Sequence, residues 1–405
     1  MSTRGKIIAS SLVVLLAIGL VVLAVTSFGG GGDGDDDDTA GSDTTTTTVA
    51  PESTTATSPT TTRGTLAPVP TDPPSPTSVP PGTVVVSPTT LAPPTSAPPA
   101  TVAENPPPDV STATTTPAPT TTTTVPDDDG TETVVYSPPD GPERSGELTV
   151  PDEHRDTAIV LVHDGDGTDG GRADVAAWAS AYAAEGYVTL AIDYYLSKDA
   201  SSAPLYPRAE RDVKAAVQYL RLEADDLEID PERIVVQGFG YGGRLACQAI
   251  VTGDDPFFVN SALYDDVSDA PNAMIGFYGP YDGTHDDPDQ YYGGPPDSDD
   301  PDVQERYELA NCTANAANAS GPVLLVHGDA DEEVPLDVAS AFTDALTAES
   351  KDASLVVFEG LGHGFDVDVD VDVDADGALT PEGEVALQQS LTWLDATFPE
   401  PAPAP

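Results

Sequence analysis

Residues 233–250 constrain the fold more than any other stretch. Arg233-Ile234-Val235-Val236 is a short β-branched run, Arg244-Leu245-Ala246-Cys247-Gln248-Ala249-Ile250 is apolar and helical, and Gly238-Phe239-Gly240-Tyr241-Gly242-Gly243 lies between them. A strand that becomes a helix within six residues needs glycine where neighbouring Cβ atoms would collide, which predicts a tight elbow built on Gly238 and Gly242. Further short apolar runs follow from Thr131 onward, at 157–163, 187–193, 273–278, 322–327 and 354–359. Amphipathic intervals separate them, including 208–224, 336–350 and 384–396. Apolar strands alternating with helices predict a doubly wound, mostly parallel α/β sheet covered on both faces. Pro231 ahead of a strand and Pro335 at a helix start fit that order.

The first third of the chain cannot contribute much to such a core. Arg4 and Lys6 precede nineteen uncharged residues, 7–25, and an Asp-rich run at 33–38 follows. Nineteen residues of helix can cross a hydrocarbon layer of about 30 Å, and the positive flank orients the N-terminus inward. A signal anchor over 1–28, with its transmembrane segment at 7–25, is the expectation; a cleaved signal peptide is the rival. Residues 29–130 are Thr, Pro, Ala, Ser and Val with scattered Asp and show no period. They are expected to be a disordered linker, leaving a folded domain over 131–398 and a tail over 399–405. In the extended limit about 100 such residues reach on the order of 300 Å. Localisation follows: a single-pass cell-membrane protein with its C-terminal domain extracytoplasmic.

Residues 131–405 hold 56 acidic and 12 basic side chains. A surface of that sign repels nucleic acid and anionic headgroups, so no nucleic-acid partner is expected. Solvation in a cation-rich exterior and selective cation binding both remain open as its purpose. Two cysteines, Cys247 and Cys312, make no framework, and an extracytoplasmic location allows them to pair or stay free.

At three stretches the chain resembles the α/β-hydrolase superfamily, nearest its dienelactone-hydrolase-like and small carboxylesterase groups. They are residues 184–194 (AEGYVTLAIDY), 212–220 (DVKAAVQYL) and 229–234 (IDPERI), the last two leading into the Gly-rich elbow. The resemblance covers about 131–398. It implies a nucleophile at position 240, but the residue there is Gly240. It also implies an orienting carboxylate at Asp331, in His327-Gly328-Asp329-Ala330-Asp331, and a base at His363, in Gly360-Leu361-Gly362-His363-Gly364-Phe365. In such a set the carboxylate fixes the imidazole tautomer and the imidazole takes the nucleophile's proton. The structural alternative is a helix-capping Asp331 and an ordinary loop histidine.

His163-Asp164-Gly165-Asp166-Gly167 resembles the esterase motif His-Gly-Gly-Gly with two glycines replaced by aspartates. Backbone N–H groups make an oxyanion hole, so Gly165, Asp166 and Tyr241 are the expected donors. Carboxylates beside them disfavour a developing negative charge; alternatively, Asp164 and Asp166 point to solvent. Cys247 is about 10 Å farther along the helix and cannot replace the nucleophile.

Residues 366–376 alternate Asp with Val or Ala, and Asp372, Asp374, Asp376 and Gly377 match the opening of an EF-hand-like loop. Gly383 stands where that loop's bidentate Glu belongs. Calcium and a solvated acidic insertion over 366–384 both remain open; no other cofactor is implied. The resemblance implies hydrolase chemistry on a small ester or ester-like ligand, with the Ser or Cys nucleophile missing. The expectation is an impaired or inactive esterase with a binding role. An active hydrolase of esters or lactones using an unconventional nucleophile is one alternative. The other is a cation-binding surface protein on a hydrolase scaffold.

Overall fold

The computed structural model describes residues 83–86, 130–199, 203–258, 261, 264, 266–284, 288–367 and 378–399. Five of the apolar runs become fully buried strands: β4 (Ala158–Val162), β5 (Val188–Ile192), β6 (Ile234–Phe239), β7 (Ala273–Phe277) and β8 (Val323–Gly328). With β9 (Ala353–Phe358), all six expected strands form within one or two residues of their expected ends. Three more complete the nine-stranded sheet: β1 (Thr83–Val86), β2 (Thr131–Val135) and β3 (Ser145–Thr149). The order is β1-β9-β8-β7-β6-β4-β5-β3-β2, parallel except where β3 pairs with β5 and with β2.

Strand periodicity divides the core between the two faces. Ala158, Val160 and Val162 of β4 join one apolar layer and Ile159 and Leu161 the other. The first layer is covered by α2 (Arg208–Leu222), α3 (Tyr241–Thr252) and α6 (Leu336–Ala348). The second is covered by α1 (Ala176–Ala184) and α7 (Pro381–Thr397). Two short helices, α4 (Pro288–Tyr292) and α5 (Pro301–Ala310), fill the long connection from β7 to β8. Cys247 of α3 and Cys312, just after α5, form a disulfide with Cα atoms 6.2 Å apart.

Two expectations need correction. Residues 29–130 are not wholly a structureless linker: Thr83-Val84-Val85-Val86 pairs in parallel with β9, Thr83 opposite Leu355 and Val86 opposite Phe358. Three β-branched valines following a threonine suit an extended ladder, and β9 offers an open edge. Nor is the whole of 366–384 a solvated insertion. Asp366 is fully buried, Val367 bridges to Leu379, and α7 already begins at Pro381. Asp372, Asp374 and Asp376 lie outside the described residues, as does the expected membrane span at 7–25. Among the described residues no helix is long and apolar enough to cross a membrane, and no group of side chains could hold a metal ion.

Candidate active site

The register of the parallel strands assembles the site. Val162 of β4 is opposite Gly238 of β6, so Asp164 and Gly240, each two residues farther on, leave the sheet side by side. Gly328 of β8 is opposite Phe358 of β9, and the loops beyond them carry Asp331 and His363. All four residues therefore follow the carboxyl ends of adjacent or near-adjacent strands, where open α/β sheets place their ligands.

The elbow is as tight as expected. A Cβ on Gly238 would run into the carbonyl of Gly242, and one on Gly242 into the carbonyls of Val162 and His163. Gly240 has φ 48° and ψ −116°, a conformation that strains any residue with a side chain. Its N–H donates to the Phe277 carbonyl at 3.0 Å, and its own carbonyl accepts from Arg244 N–H at 3.2 Å, starting α3.

The space beside Gly240 is occupied by another residue's side chain. A Cβ built on Gly240 would collide with the Asp164 carboxylate, 2.2–2.3 Å from its carbon and both oxygens. That carboxylate accepts the Tyr241 N–H on Oδ1 at 2.7 Å, and its Oδ2 is 3.3 Å from His363 Nε2. The Gly165 N–H adds a favourable field at the same carboxylate. One of the three expected oxyanion donors, Tyr241, thus points at an internal carboxylate. Asp166, the third, sits on an exposed turn with φ 54°. Asp164 neither points wholly to solvent nor merely borders the hole; its side chain is 36% exposed and sits in the site.

His363 lies between two carboxylates. Its Nδ1 is 2.9 Å from Asp331 Oδ2, its Nε2 faces Asp164, and Glu333 is 3.8 Å away. Asp331 is fixed in turn, accepting the N–H groups of Glu333 and Val334 on Oδ1 at 2.9 Å each, with His327 Nε2 3.3 Å from Oδ2. Burial opposes a charge on His363, but Asp164, Asp331 and Glu333 outweigh it and raise the imidazole to about 9. Burial likewise opposes charge on Asp331, yet hydrogen bonds from His327, the Val334 N–H and His363 bring it down to about 2. Asp164 is held below the usual carboxylate range against burial, by His363 and the Tyr241 and Gly165 N–H groups. At neutral pH the site therefore holds an imidazolium between ionised carboxylates.

Three supporting residues, Tyr278, Trp178 and Asp366, went unrecognised in the sequence. The Tyr278 ring packs against His363 with centroids 4.5 Å apart, and its hydroxyl donates to Asp366 Oδ1 at 2.6 Å. Trp178 Nε1 donates to Asp366 Oδ2 at 2.7 Å. Asp366 follows the histidine loop directly, which was the available signal, but the Asp-Val repeat it opens disguised it as solvated.

Residues 148–346 match the BD-FAE family. Over 201 residues the chain is 28% identical to Esterase LipC of Mycobacterium tuberculosis, covering 46% of this chain and 47% of that protein. The chain thus spans about half the length of this curated relative. The esterase Est2 of the planctomycete Thermogutta terrifontis superposes with a TM-score of 0.55 at 23% identity, over 68% of this chain and 96% of Est2. Its propionate-bound form gives 0.54 at 22%, over 67% and 97%. At these identities the structural likeness speaks for the fold.

Proposed function

Because the chain belongs to the α/β-hydrolase superfamily, we propose that Gly240 occupies its nucleophile position, so that serine-type ester hydrolysis is lost while a cleft for a small ester-like ligand is retained. The observation that carries this reading is the Asp164 carboxylate, which crowds the place where a nucleophile's side chain would start and takes the Tyr241 N–H that would receive an oxyanion. The charge state of His363 supports it. An imidazole raised to about 9 is already protonated at neutral pH and cannot accept the proton of a nucleophile or of water. On this reading Asp331 and His363 keep the family's arrangement without its acyl-transfer chemistry. The apolar segment 7–25 anchors the protein, and the acidic domain works outside the membrane.

The test is hydrolysis of short-chain aryl esters by the full-length chain. The wild type should show no turnover that depends on His363. Gly240→Ser alone should gain little, since its Cβ collides with Asp164, whereas Gly240→Ser with Asp164→Gly should gain ester turnover that His363→Ala removes. Wild-type ester turnover abolished by His363→Ala would overturn the reading.

A further inference from the structure

Three polar side chains of α2, Lys214, Gln218 and Arg221, stand four and three residues apart, so they share one face of the helix, and all three grip the same segment. Gln218 donates to the Val267 carbonyl at 2.8 Å, and Arg221 donates to the Ala270 carbonyl at 3.1 Å and to the Asn272 side chain at 3.0 Å. Asp269 lies in the middle of that segment, on the connection from α3 to β7. Its Oδ1 is 2.6 Å from Lys214 Nζ, and the Lys214 and Asp269 side chains are only 1% and 8% exposed. Lys214 Nζ also donates to the Gly253 carbonyl and lies 5.4 Å from the centre of the buried Phe258 ring. Burial works against both charges, lowering the Lys214 ammonium and raising the Asp269 carboxyl. Across so short a hydrogen bond the proton has only to pass from nitrogen to oxygen to leave a neutral amine against a neutral acid, and a desolvated lysine amine is a nucleophile. Burying two charges is costly, whereas an amide carries none.

We propose that Lys214 and Asp269 join in an intramolecular isopeptide bond, tying α2 covalently to the connection from α3 to β7. The ammonium proton passes to Asp269 Oδ1, and the freed lone pair of Nζ attacks Cγ, forming the C–N bond and leaving a tetrahedral adduct with one oxygen as O⁻ and the other as hydroxyl. The nitrogen must then lose a proton and the hydroxyl must gain one. Asp254 is the group placed to carry it: its Oδ1 accepts the Asp269 N–H at 3.0 Å, and its charge reaches both Lys214 and Asp269. With that transfer the C–O bond breaks, water departs on the slightly open side of Asp269, and the O⁻ collapses to the amide carbonyl. The net change is ammonium plus carboxylate to amide plus water, with no other reactant and no change in net charge.

None of the residues of the candidate active site takes part, so the bond and the loss of ester hydrolysis are tested apart. The full-length chain is kept folded at neutral pH, then denatured, reduced, digested with trypsin and weighed by mass spectrometry. Trypsin cuts after lysine and arginine, so an unlinked chain yields residues 212–214, 215–221 and 245–306 as separate peptides. The linked chain should instead yield 212–221 joined to 245–306, lighter than the two together by the mass of one water, because an acylated Lys214 is no longer cut. Fragmentation should place the bond on Lys214 and Asp269. Lys214→Arg keeps the cation but cannot form the amide, and it should release 245–306 alone. Asp254→Asn, harvested early, should carry more of the unlinked peptides than the wild type; an equal share overturns the proton route given to Asp254. The wild-type digest decides the matter even if neither variant folds: separate peptides from the folded chain, or a bond placed on any other pair, overturn the proposal.

Discussion

His363 and its two carboxylates make the most direct prediction at the scale of single residues. A histidine raised from 6.5 to about 9 in the folded state stabilises the protein fully below pH 6.5, and that contribution is lost as the pH rises through 9. Asp331, lowered to about 2, contributes above roughly pH 4 and loses its contribution as the pH falls through 2. Melting temperature should therefore fall between pH 7 and pH 10, and fall less in His363→Gln. Titration of the His363 ring followed by NMR should give a midpoint well above 7, dropping by at least about one unit in Asp164→Asn. A wild-type midpoint near 6.5 would contradict the ion cluster. The sequence made Gly240, Asp331 and His363 legible because each sits in a loop whose neighbours carry the resemblance. It could not show where Asp164 points, since that depends on β4 lying next to β6 with Val162 opposite Gly238.

Among the elements, the connection from β9 to α7 carries the most hidden structure. Asp366 accepts from Trp178 of α1 and from Tyr278, just after β7, and its carbonyl accepts the Thr380 N–H at 3.0 Å. Thr380 caps α7, accepting the Gly383 N–H at 2.9 Å while its hydroxyl donates to the Phe365 carbonyl at 2.7 Å. Truncation by Asp366→Ala leaves two buried donors unpartnered and should cost about 2–4 kcal/mol, read as a shift in the denaturation midpoint. A change below about 0.5 kcal/mol would show that Asp366 is dispensable. The central strands were legible because each is a short run apolar on both faces. The edge strands were not. In β3 only Gly146 and Leu148 turn inward, and β1 is four residues within a Thr- and Pro-rich stretch, where its pairing with β9 gives no local signal.

At the scale of the whole molecule the scarce cations are used internally. Lys214 is buried against Asp269 at 2.6 Å, Arg244 is buried among Tyr241, Tyr291 and Tyr292, and Arg221 is spent on the carbonyls of Pro231, Ser268 and Ala270. Arg144 and Arg233 pair with Asp212 and Asp156. The outer surface of the described residues is therefore left mainly to carboxylates, with Lys198 an exposed exception, and self-repulsion should weaken the fold when salt is low. Melting temperature should rise steadily as sodium chloride goes from about 10 mM to about 1 M, where the screening length falls from about 30 to 3 Å; a flat or falling curve would contradict this. The Cys247–Cys312 link closes a loop with a sequence separation of 65 and should contribute about 4 kcal/mol, lost on reduction or in the double alanine variant.

The four-residue strand at the sheet edge also has a mechanical meaning. Any pull arriving through the N-terminal segment reaches β1 before the rest of the domain, and among the described residues the ladder from Thr83 to Val86 against Leu355 to Phe358 is what meets it first. Loaded along its length, that ladder would give way as a fuse, parting Thr83–Val86 from Leu355–Phe358 before β2 and the central strands bear any tension.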